Sequence, residues 1–94
     1  MKLQKKQTAR GFNYIEFYDC YGIKCSLQKS SMATNDAIWL GCDEADPRYL
    51  EPGKGWVSIE LPEDTCCDTR MHLTREQVNE LLPILQKFVD TGEI

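Results

Sequence analysis

The sequence predicts an α+β protein, with a small twisted antiparallel sheet of about four strands and one amphipathic C-terminal helix packed on one face. Residues 12–28 alternate apolar and polar side chains around a glycine, which is typical of a β-hairpin. Residues 75–90 repeat apolar side chains every three or four positions, which indicates a helix. The 94 residues, 41% of them hydrophobic, suffice for a single domain over 1–94 with a modest core.

The first three predicted strands lie in the N-terminal half of the chain. Residues 12–21 (FNYIEFYDCY) are rich in aromatic residues. IKCSLQ at 23–28 returns after Gly22, because a glycine can take the positive φ that a tight turn needs. The polar residues 29–36 form a predicted loop. The apolar run AIWLGC at 37–42 then predicts a buried third strand.

A long acidic connection over residues 43–55, with two prolines and two glycines, precedes the fourth predicted strand. WVSIEL at 56–61 alternates apolar and polar residues again. A polar stretch and a brief strand over 70–73 then lead to the helix. We therefore expect the sheet to extend over residues 12–61 and the helix over 74–91.

The two ends of the helix carry the clearest local patterns. Thr74 and Gln77 match a capping box, in which each side chain bonds the backbone N–H of the other residue. Gly92 is a natural C-terminal stop. Pro83 removes one backbone hydrogen bond and predicts a bend, although the apolar stripe continues through it. The stripe consists of Val78, Leu81, Leu82, Leu85, Phe88 and Val89.

Charge is distributed unevenly along the chain. The net charge is −4, but residues 1–30 carry +4 and residues 31–94 carry −8. The basic residues 1–10 are predicted to be a flexible lead-in or a short edge strand. No apolar run follows them, and no stretch is long enough to span a membrane, so we expect a cytoplasmic protein. The acidic body argues against direct binding of nucleic acid.

The five cysteines cannot all pair within one chain, and a cytoplasmic location keeps thiols reduced. Cys25 and Cys42 are predicted to be small core residues. A structural zinc site is an alternative, although the spacing does not match the usual paired C-x2-C pattern. Its ligands would be Cys20, Cys25, Cys66 and His72. We assign no metal ligand and no cofactor.

The sequence contains no recognisable catalytic motif. Cys66 and Cys67 precede the single histidine, His72, by a few residues, but nothing around them resembles a nucleophile motif. No glycine-rich phosphate-binding loop occurs, and no acid and base are paired at a known spacing. We therefore expect a binding protein rather than an enzyme, and we assign no catalytic residue.

Two segments are candidates for binding an anion. Lys29, Ser30 and Ser31 offer a cation and hydroxyl groups, which are the minimum that an anion requires. Arg70 and His72, just before the helix, add a second cationic or polar group. We include all five in the predicted binding surface.

The acidic connection is a candidate for contact with a protein. Asp43, Glu44 and Asp46 lie close together but lack the spacing of a calcium loop. A dense acidic surface can imitate a phosphate backbone and occupy the groove of a nucleic-acid-binding protein. Trp56 follows a glycine turn and is predicted to be exposed near this stretch, so it completes the predicted binding residues.

Two blocks of the sequence resemble a group of short hypothetical proteins of tailed bacteriophages and prophages. They are FYDCYGIKCSLQKSS with IWLG at 17–31 and 38–41, and TRMHLTREQVNELLPILQKFVDTGEI at 69–94. The resemblance implies a non-catalytic accessory protein that binds and inhibits a host factor in the bacterial cytoplasm. The first implied target is a nucleic-acid-binding defence complex, as for an anti-CRISPR protein. The alternatives are a sponge for an anionic nucleotide signal of a host defence system and the zinc module described above.

The predicted architecture also bears on self-association. One helix covers only one face of such a sheet and leaves at least one strand edge unpaired. A homodimer is therefore an expected form of the protein alongside the monomer.

Overall fold

The computed structural model describes residues 2–94 and confirms the α+β class, with antiparallel strands and one C-terminal helix. Its strands are β1 (Gln4–Gln7), β2 (Asn13–Tyr18), β3 (Lys24–Lys29), β4 (Ala37–Cys42), β5 (Arg48–Glu51), β6 (Gly55–Ser58) and β7 (Arg70–Thr74), and its helix is α1 (Arg75–Thr91). Five strands form the main sheet in the order β1-β2-β3-β4-β7. The remaining two, β5 and β6, form a separate hairpin.

One edge of the main sheet takes one of the two forms expected for residues 1–10, and the other edge differs from the prediction. Residues 4–7, in the basic N-terminal segment, form the edge strand β1 and pair with β2. Contrary to the expectation for 56–61, β6 lies outside the main sheet, and β7 takes the place beside β4. The positive φ values of Gly53 (83°) and Gly55 (81°) turn the acidic connection back on itself, so β6 pairs with the adjacent β5.

The register of the main sheet gives it one apolar face. Residues directly opposite one another on neighbouring antiparallel strands point to the same side of a sheet. One row runs through Lys5, Ile15, Leu27, Leu40 and Met71, a second contains Phe17, Cys25 and Cys42, and a third contains Lys29, Ile38 and Leu73. We call this side the apolar face.

The other side of the main sheet is the polar face. Its rows are Gln4, Glu16, Ser26, Gly41 and Arg70, followed by Lys6, Tyr14, Gln28, Trp39 and His72. Glu16, Ser26 and Ser30 are among the most enclosed residues of the molecule, with 6%, 4% and 7% of their surface exposed. The best-shielded positions of the sheet are therefore largely polar, and hydrogen bonds and ion pairs must stabilise them.

The helix forms as predicted, but it does not pack across the sheet. Both halves of the Thr74–Gln77 capping box are present, and α1 continues through Pro83 to Gly92, whose φ is 74°. No residue of α1 is buried, and Leu85 and Phe88 are 57% and 54% exposed. The expectation that the helix covers one face of the sheet is therefore corrected.

The connection between β7 and α1 explains the direction of the helix. Thr74 ends β7 and Arg75 begins α1, so no loop residue is present to turn the chain back over the sheet. Arg75 also donates its backbone N–H to the Asp36 carbonyl and its Nη1 to the Asp36 carboxylate, both at 3.3 Å. These contacts hold the first residue of the helix beside Asp36, the residue that precedes β4.

Glu16 is the buried charge at the centre of the polar face. Its carboxylate lies 2.7 Å from Nζ of Lys6 and 3.2 Å from Nζ of Lys24. Hydrogen bonding to Lys6, and then to Lys24, lowers the pKa of Glu16, and the same pairs raise the pKa of both lysines. Through this one carboxylate, the two lysines link β1, β2 and β3.

We predict that acid destabilises the fold through Glu16. A carboxylate whose pKa is lowered on folding stabilises the protein above its ordinary value of 4.5, and it loses that contribution as the pH falls through the folded value. Denaturant titrations at a series of pH values should therefore show a steeper loss of unfolding free energy below pH 4.5 for the wild type than for E16Q. Parallel curves for the two proteins would contradict this role. E60Q, which removes an exposed carboxylate, is the control.

Candidate functional site

A cluster of aromatic, cationic and hydroxyl side chains lies on the polar face where β3, β4 and β7 meet. We call it the Trp39 cluster, and it consists of Gln28, Ser30, Trp39, Arg70 and His72. The imidazole of His72 stacks on the indole of Trp39, with ring centroids 3.8 Å apart and an interplanar angle of 5°. The guanidinium carbon of Arg70 lies 5.4 Å from the indole centroid. One surface thus presents a cation, two stacked rings and a hydroxyl group.

Strand register brings these side chains together. Trp39 lies directly opposite Gln28 on one side and His72 on the other. Ser30 follows β3 and donates its N–H to the Ala37 carbonyl at 2.9 Å, which extends the pairing with β4 by one residue. Two pairs in the cluster lie 42 positions apart in the sequence, so only the pairing of β3, β4 and β7 makes them neighbours.

Hydrogen bonds hold the cluster in place without a ligand. Nη1 of Arg70 donates to Oε1 of Gln28 at 3.2 Å. The Ser30 hydroxyl accepts the N–H of Met32 at 3.2 Å and lies 2.9 Å from Nε2 of His72. A serine hydroxyl that accepts from the backbone still has its own proton to donate. The imidazole is therefore held by a hydrogen bond as well as by stacking.

Arg70 is the cation that distinguishes this cluster. Within residues 2–94, none of the seven ion pairs includes Arg70. A guanidinium has five N–H donors, and the one hydrogen bond to Gln28 leaves most of them available. Arg70 is thus ready to receive an anion.

A polar depression of about 450 Å³ lies next to the Trp39 cluster on the same face. Its lining includes Tyr14, Ser26, Gln28, Asp43 and Arg70. Arg70 and Gln28 belong to both the depression and the cluster, so a ligand could contact the stacked rings and the depression together.

Gly41 allows β4 and β7 to approach each other closely beside Arg70. It lies directly opposite Arg70 on β4, and a Cβ atom at this position would come within 2.8 Å of the Arg70 Cα. Cβ atoms in proteins do not approach backbone atoms so closely, so a larger residue would push β7 away from β4. The Trp39 cluster therefore depends on a glycine that contributes no side chain to it.

The predicted anion-binding segment is divided between the two faces of the sheet. Ser30 joins Arg70 and His72 in the Trp39 cluster, because its side chain lies on the polar face. Lys29 points to the apolar face and pairs with Asp36 at 3.5 Å. Ser31 is exposed in the loop that follows. Adjacent residues of a strand point to opposite faces, so three consecutive residues cannot all meet one ligand there.

The predicted acidic surface is partly neutralised. The Asp43 carboxylate accepts a hydrogen bond from the Ser26 hydroxyl and lies 3.8 Å from Nζ of Lys24. Asp46 lies 3.8 Å from Nε of Arg48, and Glu44 is exposed. Asp43 therefore belongs to the polar face, whereas Glu44 and Asp46 lead into the separate hairpin.

Trp56 lies on that hairpin, away from the Trp39 cluster. It is directly opposite Leu50 on β5, and the two side chains are 67% and 64% exposed. This pair forms a second exposed surface, which contains one tryptophan and one leucine. We call it the hairpin tip.

The cysteine arrangements considered from the sequence do not assemble. Cys25 points to the apolar face, where its Sγ lies 3.9 Å from that of Cys42, whereas His72 is on the polar face. Burial, followed by the hydrogen bond with Cys42, raises the pKa of the Cys25 thiol. Cys66 and Cys67 are exposed, and the side-chain partner of His72 is Ser30. Within residues 2–94, no three histidine, cysteine or acidic residues are grouped for a metal ion.

The site residues assigned from the sequence do not include Trp39 and Gln28. Gln28 lies in an alternating strand and Trp39 in an apolar run, so their polar-face positions could be identified only once the strand pairing was known. Knowledge that 70–74 pairs with 37–42 would have placed Trp39 opposite His72. The missing information was therefore the register of β7.

We predict that G41A lowers the midpoint of thermal unfolding and disrupts the Trp39 cluster. Forcing a methyl group against the β7 backbone should cost about 1–3 kcal/mol of unfolding free energy. G53A is the matched control, because Gly53 also has a positive φ but has open space around its Cβ position. Calorimetry should show a larger loss for G41A, and an equal loss for both variants would contradict the close approach.

The chain was also compared with known proteins. No protein-family model, curated protein or solved structure matches it. Within residues 2–94, no helix combines the length and the apolar character needed to cross a membrane.

Proposed function

We propose that the chain is a non-catalytic bacteriophage accessory protein that counters a host defence factor by binding. Of the alternatives that the sequence left open, the geometry best supports a sponge for an anionic nucleotide signal. The observation that carries this proposal is Arg70, a cation without a carboxylate partner that lies beside the stacked rings of Trp39 and His72.

The chemistry of the Trp39 cluster suits a nucleotide. A phosphate group would receive charge-assisted hydrogen bonds from the guanidinium of Arg70. A base has a planar π-surface, and the exposed imidazole of His72, held flat on Trp39, offers a ring on which it can stack. Gln28, in the adjacent depression, accepts from Arg70 through Oε1 and keeps its amide N–H groups for hydrogen bonds to a sugar or a second phosphate.

The proposed ligand would be captured without being changed. The cluster offers groups for an anion and a ring at the same time, and its one hydroxyl beside a base is that of Ser30, 2.9 Å from Nε2 of His72. Ser30 is only 7% exposed, and within residues 2–94 no carboxylate hydrogen-bonds to His72 to orient it as a catalytic base. A protein of this kind lowers the free concentration of a signal only when it is present in comparable amounts. We therefore propose stoichiometric sequestration.

A second candidate function is supported by the hairpin tip. Leu50 and Trp56 are exposed side by side, and tryptophan is a common anchor of protein interfaces. The carboxylates of Glu44 and Asp46 precede this hairpin, so a partner with a basic surface would complement it. This is the surface with which the protein would inhibit a host nucleic-acid-binding factor.

We predict that a cyclic oligonucleotide binds to the Trp39 cluster and that R70A weakens its binding at least about tenfold, as expected for the loss of a charged hydrogen bond. Calorimetry against cyclic di- and trinucleotides measures the affinity directly. W56F leaves Trp39 as the only tryptophan, so a change in its fluorescence would report binding at the cluster.

R48A is the matched control for this experiment. It removes the same charge from the separate hairpin, and it should bind the nucleotide as the wild type does. Circular dichroism checks that R70A keeps the fold. Absence of heat with every cyclic nucleotide, or equal affinities for R70A and R48A, would exclude the sponge.

We predict that the hairpin tip is required for capture of a host nucleic-acid-binding protein. An affinity pull-down from infected host lysate should recover such a protein with the wild type, and L50S/W56S should lose it. E44S/D46S should weaken the capture and make it less sensitive to salt, because two carboxylates are removed.

Y49S is the control for the hairpin variants, because Tyr49 lies opposite Val57 on the other side of the same hairpin. Added DNA should compete with the captured protein if the acidic residues occupy its nucleic-acid-binding groove. Equal recovery by the wild type and L50S/W56S would eliminate the hairpin tip as the inhibitory surface.

A further inference from the structure

The chain exposes far more surface than a compact monomer of its mass. Its accessible surface is 8186 Å², whereas a monomeric protein of 10.8 kDa exposes about 5,500 Å². The radius of gyration of its Cα atoms is 16.4 Å, against about 12 Å for a compact chain of this length. The excess area is about 2,700 Å² per chain, so two copies that buried all of it would bury about 5,400 Å², at the upper end of the range for obligate dimers.

Two uncovered apolar surfaces of the same chain contribute to this excess. One is the stripe of α1, in which Leu82 and Phe88 are 59% and 54% exposed. The other is the apolar face, whose cross-strand rows contain Leu27, Leu40 and Met71 without any element packed over them. Among the described residues, the only buried hydrophobic ones are Cys25 and Ala37. The isolated chain therefore has almost no core.

The helix of the chain cannot cover its own apolar face. As described above, α1 starts directly after β7, and Arg75 is held to Asp36, so the helix leaves from the edge of the sheet. The capping box between Thr74 and Gln77 further stabilises this start. The chain's own helix therefore leaves the apolar face available to another molecule.

We propose that two copies of the chain form a dimer by exchanging helices, so that the stripe of each α1 packs on the apolar face of the other copy. Each copy provides one helix and one face, so a two-fold arrangement covers both surfaces of both copies and leaves nothing for a third. The second copy is preferred over an unrelated protein because the chain itself carries the complementary surface.

The lengths and charges of the α1 stripe and of the apolar face are compatible with packing of one on the other. A helix of 17 residues is about 25 Å long, and five paired strands span about 19 Å. A cleft of about 730 Å³ lies between the first turns of α1 and the apolar face, lined in part by Ile38, Leu73 and Leu82. The partner helix would enter the apolar face beside this cleft. Lys5, at one margin of the face, complements the acidic residues of the helix, Glu76, Glu80 and Asp90.

The dimer goes beyond the proposed function and does not depend on it. The helices would cover the apolar faces, whereas the Trp39 cluster lies on the polar face of each copy. The dimer would thus present two Trp39 clusters to solvent. The nucleotide-binding experiment can fail although the dimer forms, and the dimer experiment can fail although a nucleotide binds.

Light scattering and sedimentation of the full chain test the dimer. We expect twice the chain mass of 10.8 kDa for the wild type. L85D/F88D places two carboxylates on the stripe and should halve that mass, whereas K87D makes the same change in net charge on the opposite side of α1 and should leave it unchanged. A monomeric wild type, or a dimeric L85D/F88D, would overturn the proposal.

Cross-linking of the wild type provides a second test that does not depend on the folding of a variant. Labelled (¹⁵N) and unlabelled chains are mixed, treated with an amine-reactive cross-linker and analysed by mass spectrometry. Cross-links that join Lys87 of one copy to Lys5 or Lys29 of the other support the exchange. Intermolecular links between two Lys87 residues alone, or no intermolecular link, would overturn it.

Discussion

The pairing of β7 with β4 is the contact on which the rest of the structure depends. It places His72 against Trp39 and Arg70 against Gly41, and it thereby creates the candidate ligand site. The same pairing ends at Thr74, the N-cap of α1, so it also decides where the helix leaves the sheet. The register of β7 on β4 thus determines both the arrangement of the Trp39 cluster and the position of the amphipathic helix.

The two faces of the main sheet have different physical roles. The polar face is held by hydrogen bonds and by the ion pairs of Glu16 with Lys6 and Lys24, and such groups are stable there only because each is satisfied. Within residues 2–94, the apolar face consists mainly of apolar side chains, and we propose that a second copy of the chain buries them. This division is consistent with the two proposals, a polar ligand on one side of the sheet and a second copy of the chain on the other.

Much of the secondary structure could be predicted from local patterns. The hairpin around Gly22, the strand over 37–42 and the capped helix all appear in the structure, because alternation, turn residues and caps act over a few positions. The strand over 48–51 and the separate β5–β6 hairpin were not predicted, because the acidic connection was read as irregular. For the candidate site, Ser30, Arg70 and His72 were assigned to the binding surface from the sequence, whereas Trp39 and Gln28 were not assigned to it.

The sequence by itself determined which residues are apolar, how they alternate and where the helix begins and ends. Only the tertiary structure decided that β7 rather than β6 pairs with β4, and that the helix points away from the sheet. Local preferences arise between residues a few positions apart, whereas contacts such as Arg70 with Gln28 join residues 42 positions apart. Such contacts depend on which strand pairs with the free edge of β4, and a local sequence pattern does not specify that pairing.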